Sequence, residues 1–301
     1  MRIKGLSYST IFGILLIRGY TIMTYDELWE LYERDKKILN YSPVTLKSYK
    51  LQCRILKDYL DNPDVEAVTR EQIKEYLAEQ THLKPQSLGH RIRFINSFHR
   101  WAIDEGYLNK NPATGIKEPR MGERVPKFLT EEDIETLRES CSDRRERALF
   151  EFLFTTGCRI GEVARANRND LNWTNGSIVV FGKDKKHREV YFTSTCKIWL
   201  KKYLEDRTDD CPALFTTIRK PIRRASIDQL RFILKKIAKR AGIDANVYPH
   251  RLRHSFATHL LNKGAPMEVI QHTLGHKKYE TTQIYANLST EKRREMYFKY
   301  F

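Results

Sequence analysis

Apolar residues recur along the first third of the chain at the three-and-four spacing of helices that bury one face. After Thr24, the residues Leu28, Leu31 and Tyr32 keep that spacing, and Glu27 stands where a capping box needs it. Ser42 followed by Pro43 starts a second helix, the serine as N-cap and the proline in the first turn. Its apolar stripe is Leu46, Tyr49, Cys53, Leu56 and Leu60, and Asn62-Pro63 breaks it. Thr69 caps a third helix through Ile73, Tyr76 and Leu77. Ser87 opens a fourth, with Ile92, Ile95, Phe98 and Trp101 inward and Arg91, Arg93, His99 and Arg100 interleaved. Gly106 and Asn111-Pro112 end the region. The pattern predicts an all-helical bundle with no catalytic constellation.

Residues 115–126 (GIKEPRMGERVP) lack periodicity and are rich in glycine, proline and charge, the composition of a linker. Thr130 then opens a second region, with Glu131, Glu132 and Asp133 suiting a helix N-terminus. Arg144 to Phe154 is a strongly apolar helix, and Thr155 to Glu162 (TTGCRIGE) is a turn and a new helix start. Ile178–Phe181 and Glu189–Phe192 read as strands, with Gly182–His187 as the tip of a hairpin. After Cys196 the chain reads as mostly helical, and it closes on a short apolar tail with Met296, Tyr297, Phe298, Tyr300 and Phe301. The organisation expected is an N-terminal extension (1–22), a helical domain (23–114), a linker (115–126) and a second domain (127–301) that is mainly α with a small antiparallel sheet.

Charge changes the picture more than composition does. Apolar content of 41% is enough for real cores. A formal net charge of +16 points to a polyanionic partner, nucleic acid before others. The alternative on charge alone is a generally basic surface. The run Ile11–Ile17, after Arg2 and Lys4, resembles a weak signal-peptide core, but no small-residue cleavage site follows it. No segment has the length and apolarity of a membrane span. Cysteines 53, 141, 158, 196 and 211 form no CxxC pair, which argues against a thiolate zinc site and fits a reducing, cytoplasmic location.

The candidate chemistry lies in five segments of the second region: Thr156–Glu162, Lys183 in the hairpin tip, His250–Arg253, Leu274–His276, and Tyr285. Together they supply a nucleophile, cations for a phosphate and groups to move protons, the equipment for phosphoryl transfer without a metal or other cofactor. His250 and Arg253, three apart after Pro249, share one face near a helix N-terminus, which itself favours anions. Arginine suits phosphate because its planar fork bonds two oxygens at once, and Arg159 would supply a second fork. Each piece alone has an ordinary reading: surface arginines, a solvated turn lysine, a histidine capping a helix end. Tyr285 has Tyr279 as a near competitor, and Lys185 and Lys186 compete with Lys183. His250 and His254 have the spacing of some metal sites, but the H-E-x-x-H signature is absent.

It is the ordered set that is specific. The segment from His250 to Asn287 (HRLRHSFATHLLNKGAPMEVIQHTLGHKKYETTQIYAN) closely resembles the tyrosine recombinase/integrase family, its Xer branch in particular. TTGCRIGE and FGKDKKHR resemble that family's first arginine box and its hairpin lysine, and the first bundle resembles its core-binding domain. By that resemblance Arg159 and Arg253 clamp the scissile phosphate and Lys183 protonates the leaving 5′ oxygen. His250 aids proton transfer with the tyrosine, His276 bonds the phosphate, Glu162 orients the site and Tyr285 is the nucleophile. The resemblance further implies a two-domain C-shaped clamp on double-stranded DNA with two half-sites. It implies a tetramer on synapsed sites, joined through the C-terminal segment, that resolves chromosome dimers at a partly palindromic site. The extension before Met23 departs from the family's usual length. A mobile-element integrase, a type IB topoisomerase, a DNA-binding protein without catalysis and a metal-dependent nuclease are the alternatives.

Overall fold

The computed structural model describes residues 23–120, 128–182, 187–243 and 247–275. The chain divides into two compact units, residues 1–123 and 124–301.

The first unit is built on four helices: α1 (Tyr25–Ile38), α2 (Pro43–Leu60), α3 (Arg70–Glu79) and α4 (Pro85–Asp104). Local chemistry sets their starts. Thr24 and Glu27 form a reciprocal capping box, as do Thr69 and Gln72, and the Ser42 hydroxyl accepts from the Thr45 N–H at 3.1 Å. Each cap satisfies an otherwise orphaned donor and contributes roughly 1 kcal/mol. The fourth helix begins before Ser87. Lys84 is its N-cap and Pro85 fills the first turn, where a missing N–H costs nothing.

The core of this unit is aromatic. Phe98 of α4 stacks on Tyr25 and Phe94, with ring centroids 6.2 and 5.5 Å away, and meets Tyr32 edge-on at 5.0 Å. His99 is fully buried beside them. Its Nδ1 lies 2.8 Å from the Ile95 carbonyl and its Nε2 2.8 Å from the Tyr25 hydroxyl. A carbonyl only accepts, so Nδ1 carries the proton and the tyrosine donates to Nε2. His99 therefore belongs to the core and not to the basic face of α4. Arg91 bonds the Tyr76 hydroxyl and Gln80, and Arg93 pairs with Glu118.

The second unit comprises α5 (Glu131–Glu139), α6 (Arg144–Thr156), α7 (Ile160–Arg165), β1 (Leu171–Asn172), β2 (Ser177–Phe181), β3 (His187–Tyr191), α8 (Ser194–Glu205), α9 (Ile227–Arg240), α10 (Pro249–Asn262) and α11 (Met267–Leu274). The strands form an antiparallel sheet in the order β1-β2-β3, with Ile178 opposite Val190 and Phe181 opposite His187. β1 is only two residues long, too short to leave a periodic signal. Ile178, Val180 and Val190 face the core while Val179 and Tyr191 are exposed.

α6 is the central element: Leu149, Phe150, Phe152 and Leu153 are all buried, and α8 and α10 pack against it. It also buries Glu151, held by Arg138 Nε at 2.8 Å and Arg147 Nε at 3.0 Å. α6 ends at Gly157 in the left-handed region (φ 60°), where a Cβ would stand 2.5 Å from the Phe256 ring. That missing atom lets α10 close on the end of α6. Between α8 and α9 the chain is not helical, an interruption in a region that is otherwise mostly helical, as read from sequence. Arg207 organises part of this stretch, bonding both oxygens of Asp209 and the carbonyls of Cys211, Ala213 and Leu214. No described helix is long and apolar enough to cross a membrane.

Candidate active site

Arg159 and Arg253 lie on different helices and reach the same place. Arg159 is the N-cap of α7, immediately after the Gly157-Cys158 turn. Its Nη2 donates to the carbonyl of Gly275 at 3.3 Å. Arg253 stands in α10, where Tyr248 is the N-cap and Pro249 fills the first turn. Its Nη1 donates to the Gly157 carbonyl at 2.6 Å and its Nη2 to the Leu274 carbonyl. Gly157 closes α6, while Leu274 and Gly275 close α11, so the Arg253 guanidinium sits at two helix C-termini. Their dipoles and unsatisfied carbonyls favour a cation there, which accounts for an arginine only 4% exposed.

Glu162 orients Arg159. One of its oxygens accepts from the Arg159 backbone N–H at 2.8 Å and the other from Arg159 Nη1 at 3.2 Å. Glu162 is only 3% exposed. Burial alone would raise its pKa, but the guanidiniums of Arg188 and Arg159 outweigh burial and hold the carboxyl below the usual range. Arg188 of β3 makes the stronger contact, a fork-on-fork pair with Glu162 at 2.7 and 2.8 Å. It also donates from Nε to the Thr273 carbonyl at 2.9 Å.

His250, at the second position of α10, keeps solvent access but titrates low. Desolvation by surrounding atoms is the main cause, followed by the positive charges of Arg253, Arg159 and Arg231. His254, one turn on, is lowered by burial and then by His250 and Arg253. His250 is thus a neutral imidazole at neutral pH, able to accept a proton, among cations suited to an anion.

Of the residues singled out from sequence, Arg159, Glu162, His250 and Arg253 come together. Lys183, His276 and Tyr285 lie outside the described residues, as do Lys185, Lys186 and Tyr279. Sequence reading missed Arg188. Its signal is slight, a long cation in a short strand just past the hairpin tip. Among the described residues, no three His, Cys, Asp or Glu side chains are grouped to hold a metal ion.

Residues 127–292 match the Phage integrase family. The tyrosine recombinase XerC of Oceanobacillus iheyensis is 34% identical over 278 residues, covering 86% of this chain and 90% of the relative. A crystal structure of XerA recombinase superposes with a TM-score of 0.53 at 27% identity, over 92% of this chain and 97% of that one. A lambda integrase tetramer bound to a Holliday junction gives a TM-score of 0.70 over 90% of this chain and 85% of that one, and at 18% identity it speaks for the fold.

Proposed function

Because the chain belongs to the phage integrase family of tyrosine recombinases, we propose that it is a site-specific recombinase that breaks and rejoins DNA through a 3′-phosphotyrosine intermediate. The observation that carries this reading is the convergence of Arg159 and Arg253 on the end of α11, beside a neutral His250.

In this reading the two guanidiniums clamp the nonbridging oxygens of the scissile phosphate, and Tyr285 attacks phosphorus. A tyrosine hydroxyl has an ordinary pKa near 10, so it needs a base and a positive setting. His250 takes the phenolic proton, and the bond from phosphorus to the 5′ oxygen breaks. Lys183 protonates that oxygen as it leaves, and His276 bonds the phosphate. The new ester keeps the energy of the old one. A 5′-hydroxyl from the partner strand therefore reverses the chemistry without a nucleotide. Each lost donor to the transition state is expected to cost on the order of 3 kcal/mol.

The first unit serves as a core-binding domain and the second as the catalytic domain, both held to double-stranded DNA largely through phosphates. The partner of the assembled enzyme is a further copy of itself, four protomers on two sites with two half-sites each. A groove of about 850 Å³ in the second unit supports a docking role for the C-terminal segment. Its walls include Ile134, Phe154, Phe256 and Leu260, and its rim carries Glu131, Glu132 and Glu135. The segment bears Met296, Tyr297 and Phe298, whose apolar side chains suit those walls. A Xer relative matched over 90% of its own length supports chromosome-dimer resolution over mobile-element integration.

Covalent trapping tests the reading. Wild type and Tyr285→Phe are incubated with labelled, nicked site DNA in chelator and run on a denaturing gel. An adduct in wild type alone is expected. Equal adduct from the phenylalanine variant would remove Tyr285 as nucleophile.

A further inference from the structure

Arg188 is the most heavily engaged cation near the site that has no part in the reaction scheme. Its side chain is only 9% exposed, and all three of its guanidinium nitrogens donate to named partners. It touches Glu162 of α7 and Thr273 of α11 while standing on β3, so one side chain joins three separate elements. Gly275 is shaped around it: a Cβ there would stand 3.0 Å from Arg188 Cδ and 3.2 Å from its Nε. The glycine also holds φ at 64°, a conformation that favours glycine.

We infer that Arg188 is a positioning residue that neutralises and anchors Glu162, leaving Arg159 its charge for the phosphate. The two oxygens of Glu162 are shared evenly, each accepting once from Arg188 and once from Arg159. The contacts with Arg188 are a full fork at 2.7 and 2.8 Å, while the Arg159 guanidinium contact is a single bond at 3.2 Å. Arg188 is therefore the main counterion, and Glu162 directs Arg159 without capturing it. Without Arg188 the carboxylate would have Arg159 as its remaining close guanidinium. A buried anion draws such a partner in strongly. The clamp would then lose both the orientation and the charge of one arm. The bond from Arg188 Nε to Thr273 fixes the end of α11 next to the carbonyl that Arg159 uses, so the same side chain sets both of Arg159's neighbours.

The inference rests on the assignment of Arg159 to the phosphate, and the experiment separates the two. Single-turnover adduct formation on nicked site DNA is measured for wild type, Arg188→Lys, Arg188→Met and the double variant Arg188→Met with Glu162→Gln. Thermal unfolding and DNA affinity are measured alongside, and rates are read below every variant's transition. Lysine keeps the charge but not the fork. Arg188→Lys is expected to bind DNA within about threefold of wild type, yet to form adduct tenfold to a hundredfold more slowly, the roughly expected effect of a misplaced reacting group. Arg188→Met strands a buried carboxylate and is expected to melt earlier. Neutralising Glu162 should recover the melting temperature and part of the rate, because an uncharged side chain no longer captures Arg159. A double variant that regains stability but gains nothing in rate over Arg188→Met would overturn the inference, as would wild-type cleavage by Arg188→Lys. Absence of adduct in wild type on the same DNA would instead overturn the recombinase reading.

Discussion

The hydroxyl of Tyr25 donates to Nε2 of His99 at 2.8 Å, closing the centre of the first unit. Burial lowers the His99 pKa to about 4, the bond to the Ile95 carbonyl opposing only in part. Between about pH 4 and the usual histidine value near 6.5, the unfolded chain holds a proton that the folded chain refuses. Stability therefore rises with pH across that window and is complete above it. The full effect is about 3 kcal/mol. Exchange protection of the α4 amides, corrected for intrinsic rates, should fall from pH 7.5 to pH 4.5 in wild type. His99→Gln should lose this slope while starting from lower stability, and an unchanged slope would assign it to another group.

Gly157 and Phe256 make a second prediction. A Cβ on Gly157 would stand 2.5 Å from a Phe256 ring carbon, and its φ of 60° adds strain. Gly157→Ala is expected to destabilise the second unit by roughly 1–3 kcal/mol. Phe256→Leu opens space at that point, so the double variant should recover part of the loss. Strict additivity of the two changes in thermal unfolding would argue that the ring is not the obstacle.

A third concerns pH and cleavage. A base must be unprotonated to act, and His250 titrates below the usual histidine value. The acid limb of cleavage measured at subsaturating DNA, which reports the free protein, should therefore have its midpoint below pH 6.5, the usual value. Arg231 contributes one of the depressing charges. Arg231→Ala should move the midpoint upward, since removing a cation makes protonation easier. A midpoint that stays fixed, or one above the usual value in wild type, would take His250 out of the role of base.

Lysine assignment in the hairpin can be settled chemically. A substrate with sulfur in place of the bridging 5′ oxygen has a leaving group that needs no proton. Cleavage of ordinary DNA by Lys183→Ala is expected to be at least a hundredfold slow, within the range for general acid catalysis of roughly 10²–10⁴. The sulfur substrate should restore it. Rescue of Lys185→Ala or Lys186→Ala instead would move the assignment along the chain.

Much of the local structure was written in short-range chemistry. Thr24 with Glu27, Ser42 with Pro43 and Thr69 with Gln72 fix helix starts within three residues, so they can be read without tertiary knowledge. The same holds for His250 and Arg253, whose shared face follows from Pro249 and helical spacing. Legibility failed where partners are distant. His99 reads as one of several basic residues because nothing nearby announces Tyr25. Arg188 reads as an ordinary strand residue because its pairing with Glu162 requires the hairpin register and the seating of α7 together. Ser87 reads as the start of the fourth helix, yet the chain has already turned helical at Pro85. The non-helical stretch after α8 depends in part on Arg207, whose bonds reach four other residues that no periodic pattern links.

The contacts that gather the arginines also set an order of events during synthesis. Arg253 bonds a carbonyl 96 residues behind it, and Arg159 bonds one 116 residues ahead. A ribosome adding roughly 5–20 residues per second makes α7 several seconds before the end of α11. Throughout that interval α6, α7 and the hairpin can form from neighbouring contacts, but the carbonyls of Leu274 and Gly275 do not yet exist. The nascent chain thus carries Arg159 well before the carbonyls of Leu274 and Gly275 are made, and the two arginines are gathered only once the end of α11 has been translated.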